Sequence, residues 1–188
     1  MSARLFVAVD LDEPAREFIA SAIEQLKAAG VDQRFTTREK WHVTMAFLGP
    51  VAQPRYDAVI DAVDLAAAAC APFDLVLDAV GAFPNQNRPR VVWVGSSGPQ
   101  PMFVACAGAV RRALGTAGFR FDDEAVPHVT VCRIKRPATA LPPTTLNRSV
   151  SVRVDTLSLY ESVAAGPTTA YNVIRRAALG EVRKGQHA

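Results

Sequence analysis

Three histidines occur in the 188-residue chain, and two of them head the same short pattern: His42-Val43-Thr44-Met45 and His128-Val129-Thr130-Val131. On a β-strand, residues i and i+2 face the same side, about 6.6–7 Å apart. His42 then shares a face with Thr44, and His128 with Thr130. An in-line displacement at phosphorus calls for a base at the entering oxygen and an acid at the departing one, on opposite sides of the phosphorus. Histidine ionises where either role is available near neutral pH. Threonine hydroxyls beside the rings are suited to donate hydrogen bonds to the non-bridging oxygens. Such a pair of pairs, facing across one cleft, calls for no metal ion and no cofactor.

A single histidine on a strand is more often a satisfied structural residue than a catalyst, and threonine favours strands on its own account. The pairing shifts that balance. Threonine fills 11 of 188 positions, so random placement two residues after both strand histidines has a chance of about 0.003. A duplication kept only for folding would preserve the pair too, but buried imidazoles are costly without partners. Zinc asks for three or four ligands, commonly with histidines at i and i+4 of a helix, and that spacing is absent. Cys70, Cys106 and Cys132 are odd in number, far apart and set among apolar neighbours, so they read as small core residues. His187 reads as a tail residue.

The elements that must carry these side chains follow from periodicity. Residues 4–11 read as a buried strand, and a helix is expected from Glu13 to about Ala29, capped by Asp12 and closed near Gly30. Phe18, Ile19, Ile23 and Leu26 supply its inner face. Residues 40–49 form the strand holding the first motif. The plan returns as a strand at 90–95, a helix from about Pro101 to Leu114 and a strand from His128. Arg4 to His42 and Arg90 to His128 both span 38 positions, and a shift of 86 also places Arg34 on Arg120 and Phe35 on Phe121. An internal repeat of about 4–50 and 90–136 is the economical account.

Between the copies, an Ala-rich helix at about 55–71 and a strand at 73–83 complete the first lobe, ending in the turn-rich loop 84–89. Strands at 149–162 and 170–179 are assigned to the second lobe, the former alternating with period two. The expected architecture is one α+β domain over 1–188 with two pseudo-symmetric lobes. Each lobe is an antiparallel sheet with helices packed on its outer face, and the active-site cleft lies between the sheets.

Composition narrows the function classes. With 49% hydrophobic and 21% charged residues the chain is neither disordered nor membrane-embedded, and no apolar run approaches the ~20 residues of a spanning helix. The apolar stretch 5–9 is too short for a signal peptide, so a cytoplasmic location is expected. A monomer is the expected state. Net charge is +3, and Arg175, Arg176, Arg183 and Lys184 against Glu181 account for all of it. A broad basic face for coating long nucleic acid is not expected, though a single phosphate or a strand end remains within reach.

With its flanks, the chain resembles the two-histidine phosphoesterase superfamily, and within it the bacterial RNA 2′,3′-cyclic phosphodiesterases, also called 2′-5′ RNA ligases. The resemblance runs through RLFVAVDL at 4–11, WHVTMAFLG at 41–49, RPRVVWVG at 88–95, PHVTVCRI at 127–134, and LSLYES and AYNVI near the end. It implies His42 as proton donor to the leaving 3′ oxygen and His128 as proton acceptor from water, although the motifs themselves do not tell the two apart. It implies Thr44 and Thr130 as phosphate-holding residues and a product ending in a 2′-phosphate, with reverse 2′-5′ ligation as a side activity. The partners implied are RNA ends or small nucleotides carrying a 2′,3′-cyclic phosphate.

Arg133 stands where the family commonly has an arginine that pairs with the phosphate. Phe47 falls on the opposite parity to His42, which assigns it first to the core and second to a stacking platform for a base. Tyr171 is a comparable substrate-binding candidate. The segment 164–171 lacks the arginine often seen before that tyrosine. Two rivals stand beside this reading: a phosphodiesterase of the same fold for another small cyclic nucleotide such as an ADP-ribose cyclic phosphate, and a phosphate-binding module without turnover.

Overall fold

Five consecutive apolar residues, Leu5 to Val9, are each no more than 3% exposed, as in a strand covered on both faces. The computed structural model describes residues 2–134, 140–166 and 168–180, and places that run at the heart of a four-stranded sheet. The order along the chain is β1 (Ser2–Asp10), α1 (Glu13–Ala28), β2 (His42–Ala52), α2 (Tyr56–Ala68), β3 (Phe73–Leu77), β4 (Ala79–Phe83), β5 (Val91–Gly95), α3 (Pro101–Thr116), β6 (His128–Arg133), β7 (Val150–Val154), β8 (Thr156–Ala165) and β9 (Thr168–Ala178). The fold is α+β: antiparallel sheets of order β2-β1-β8-β9 and β4-β5-β6, a two-stranded ladder β3-β7, and three helices among the described residues. His187 lies outside them.

Two expectations give way here. The stretches 73–83 and 149–162, each read as one strand, are each two, broken at Asp78 and at Asp155. Aspartate is poorly suited to a strand and well suited to a turn. Asp78 accepts hydrogen bonds from the Ser97 N–H at 2.7 Å and the Ser97 hydroxyl at 2.8 Å, and there the chain leaves one ladder for another. The assignment of closing strands to the second lobe is also overturned. β8 pairs with β1 and β9 with β8, while β4, from the first half of the sequence, pairs with β5. An interior strand such as β1 needs hydrogen-bonding partners along both edges, and β2 supplies only one.

The helices start and stop by local chemistry. Asp12 caps α1, its carboxylate accepting the Ala15 N–H at 2.9 Å. At the other end Gly30 takes φ 92°, its N–H bonding the Lys27 carbonyl while Val31 bonds Leu26. α3 ends the same way through Gly118 at φ 86°, with Gly118 bonded to Gly115 and Phe119 to Leu114. Asp10 stands opposite His42 and Gly95 opposite His128, so the first strands correspond at an offset of 85, the helix starts at 88 and the histidines at 86. The equal 38-residue spacings therefore hide compensating loops. The link before α3 is three residues longer than that before α1, and the return to β6 is two residues shorter.

α2 lies against β8, β9 and α3, while α3 also packs on β2 and α1 on β7. An ion pair between Arg175 and Asp64, at 2.8 Å, ties β9 to α2. Cys70, Cys106 and Cys132 are buried and unbridged, and burial raises the Cys106 and Cys132 thiols above their ordinary range. They are core residues, as read. Among the described residues no helix is long and apolar enough to cross a membrane.

Candidate active site

Each motif strand carries the same defect one residue after its threonine. Along β1 and β2, Ala8 faces Thr44 and Val7 faces Ala46, leaving Met45 as an extra residue; along β5 and β6, Trp93 faces Thr130 and Val92 faces Cys132, leaving Val131. A bulge of this kind resets the alternation of a strand. Met45 and Ala46 are consecutive and both fully buried, so Phe47 emerges on the side of His42 and Thr44, 58% exposed. On β6, buried Val131 and Cys132 are followed by exposed Arg133. The assignment of Phe47 to the core by parity is therefore wrong, and the reason is the bulge.

One cavity of about 500 Å³ collects His42, Thr44, Phe47, His128, Thr130 and Arg133, with Tyr171 on its wall. All seven residues singled out in the sequence meet there. That volume lies in the range of small-molecule sites. A second cavity, about 660 Å³, adjoins it through Thr44, Phe47 and His128 and reaches Phe83, Arg120 and Phe121. The two imidazoles are near enough for the charge on one to oppose charge on the other.

Each ring rests on its own aromatic bed. Phe6 lies 4.8 Å from His42, ring centre to ring centre, and stacks on Tyr160 behind it; the Tyr171 ring meets His42 edge-on at 5.4 Å. Tyr171 thus contacts the histidine as well as lining the cavity. His128 meets Phe83 edge-on at 5.0 Å, with Trp93 at 6.3 Å. Sequence reasoning missed Phe6, Tyr160, Phe83 and Trp93, whose only signal was their period within strands already recognised.

Gly81 is what lets Trp93 lie there, since a Cβ at that position would stand 2.1 Å from the indole ring. Gly81→Ala is expected to push Trp93 off its place and to destabilise the fold by about 1–3 kcal/mol. Urea unfolding midpoints of the variant and the wild type measure it; an unchanged midpoint contradicts the packing described.

Electrostatics separate the two histidines. Burial lowers both, taking His42 to about 4, so both rings are neutral near pH 7. Opposing that, a backbone carbonyl two residues upstream favours each protonated ring, at Lys40 for His42 and at Val126 for His128. His128 Nδ1 is 2.8 Å from the Val126 oxygen. A carbonyl only accepts, so Nδ1 carries the hydrogen and Nε2 keeps a free lone pair. Arg133 disfavours a second positive charge at either ring.

Asp10 distinguishes the His42 side. Directly opposite residues of an antiparallel pair share a face, and Asp10 stands opposite His42 and favours its protonated form. The carboxylate accepts from the Ser158 hydroxyl at 2.8 Å and from the Tyr160 hydroxyl, with Arg176 at 3.6 Å. Ser158 is fully buried. The residue opposite His128 is Gly95, which has no charge to offer. Asp10, an acidic residue closing the apolar run from Leu5 to Val9, was a signal available in the sequence. No group of three or more His, Cys, Asp or Glu side chains fit to hold a metal occurs among the described residues.

Comparison with known proteins finds relatives along most of the chain. A family model described as LigT-like phosphoesterase matches residues 9–93. The RNA 2′,3′-cyclic phosphodiesterase of Escherichia coli K12 is 33% identical over 180 residues, covering 94% of this chain and 96% of that protein. Its namesake from Methanothermobacter thermautotrophicus is 33% identical over 137 residues, covering 73% and 74%. The crystal structure of E. coli LigT complexed with 3′-AMP superposes with a TM-score of 0.73 at 30% identity, covering 96% of this chain and 99% of that one. On this similarity along nearly its whole length, the chain belongs to the LigT-like phosphoesterase family, together with the RNA 2′,3′-cyclic phosphodiesterases.

Proposed function

We propose that the protein opens 2′,3′-cyclic phosphates at the ends of RNA or nucleotides and leaves a 2′-phosphate. The observation that carries this is the convergence of two His-x-Thr pairs and Arg133 on one cavity. Support comes from the relatives named RNA 2′,3′-cyclic phosphodiesterase and from a LigT structure holding 3′-AMP.

In the proposed step, water attacks phosphorus as His128 Nε2 takes its proton. The bond from phosphorus to the 3′ oxygen breaks, and His42 gives that oxygen a proton. The products are a 3′-hydroxyl and a 2′-phosphomonoester, and the returning proton passes from His128 to His42 through solvent. The fixed Nδ1–H of His128 suits the accepting role. For His42 the phosphate anion and Asp10 together favour the proton that burial alone excludes. Thr44 and Thr130 donate to the non-bridging oxygens, and the Arg133 guanidinium pairs with them. Phe47 and Tyr171 flank the nucleoside.

The reaction needs no metal or cofactor, reverse 2′-5′ ligation is a side activity, and the working unit is residues 1–188 as a single two-lobed monomer in the cytoplasm. Three buried reduced thiols suit that compartment. The test is incubation with an RNA ending in a 2′,3′-cyclic phosphate, in excess chelator, followed by identification of the hydroxyl that keeps the phosphate. Phosphate on the 2′ oxygen is expected. A 3′-phosphate product, loss of activity with chelator, or no product at all counts against the proposal.

A further inference from the structure

The two bulges that turn Phe47 and Arg133 into the cavity are each held from the other half of the molecule. A bulge breaks the ladder locally and leaves a backbone group to be satisfied elsewhere. At Met45 the carbonyl accepts a hydrogen bond at 2.9 Å from Arg111 Nε, on α3. Arg111 is itself fixed: its side chain is only 16% exposed, Nη1 donates to the Asp123 carbonyl and lies 3.5 Å from the Asp123 carboxylate, and the guanidinium sits 5.3 Å over the Phe121 ring. At Val131 the carbonyl accepts from the Thr36 N–H at 2.8 Å. The Thr36 hydroxyl lies 2.9 Å from the Thr130 carbonyl and accepts from Trp41 Nε1 at 3.1 Å.

We infer that Arg111 and Thr36 are positioning residues, which lock the bulges in the opposite half and thereby hold Phe47 and Arg133 on the ligand side of the cleft. The residues used differ, a guanidinium in one case and a backbone N–H with a hydroxyl in the other, but the work is the same. Without the Arg111 bond the Met45 carbonyl is left buried and unpaired, a cost that a straightened strand avoids. A strand without its bulge shows the alternate face beyond Thr44, because side chains repeat with period two. Phe47 would then leave the cavity.

The primary test is the crystal structure of Arg111→Met, which keeps an unbranched apolar stem and removes every donor. Loss or shift of the bulge at Met45, with Phe47 displaced, is expected; a bulge and a Phe47 side chain left in place overturn the inference. Arg111→Leu, which likewise carries no donor, serves the same purpose should the first variant not fold.

The solution test is a double-mutant cycle with Phe47→Ala, read as affinity for adenosine 2′-monophosphate by calorimetry. This arm rests on the proposed function for its choice of ligand, whereas the crystal structure does not. Each single change is expected to weaken binding about tenfold, and the double change no more than the worse single. Effects that multiply would show that Arg111 acts independently of Phe47 and overturn the inference. Absence of binding by the wild type would count against the proposed function, and the crystal structure alone would then decide the role of Arg111.

Discussion

His42→Ala and His128→Ala are each expected to lower kcat on a 2′,3′-cyclic phosphate by about 10²–10⁴-fold, because each removes a proton carrier from the transition state. The double variant should be little worse than either single one, since acid and base act in the same step and their losses do not add. KM should move less than kcat, because Thr44, Thr130 and Arg133 still line the cavity. Both variants should fold, as neither ring is part of the fully buried core. Single-turnover kinetics with circular dichroism as the folding check measures all of this. Wild-type turnover in either single variant removes acid–base catalysis by the pair.

Acid should unfold the protein partly through His42. Its folded pKa of about 4 lies below the ordinary 6.5, so between those values the unfolded chain binds more protons than the folded one. The contribution to stability is therefore fully present above pH 6.5 and is lost as pH falls through 4. A separation of that size corresponds to about 3 kcal/mol. His128, lowered for the same reason, adds in the same direction. Urea unfolding of wild type and His42→Gln between pH 7.5 and 4 isolates the His42 share, because the carboxylates are common to both. Parallel pH curves for the two proteins would contradict a buried, neutral His42.

Much of the site was legible because it is written in residue types at fixed spacing. His42, Thr44, His128 and Thr130 announce themselves through the i, i+2 geometry of a strand, and helix α1 through Asp12 and Gly30. Phe47 was misplaced because counting alternation assumes an unbroken ladder. Met45 and Val131 are ordinary strand residues, and the bonds that let the chain bulge there come from Arg111 and Thr36, distant in sequence. The breaks at Asp78 and Asp155 were visible as aspartates inside apolar runs. The sheet membership of β8 and β9 was not, since alternation shows that a strand has a buried face without naming its neighbour. The exact 38-residue match led to two strands whose His and Thr side chains line one cavity, although the intervening loops differ.

The exchange of strands between the halves bears on any attempt to cut the protein in two. A fragment ending before residue 149 would keep both histidines, yet leave Leu5 to Val9 bordering bare solvent along one flank and Phe73–Leu77 without a mate. The two halves are mutually dependent, and a ribosome must deliver the final segment before the first-made strand gains its second edge partner.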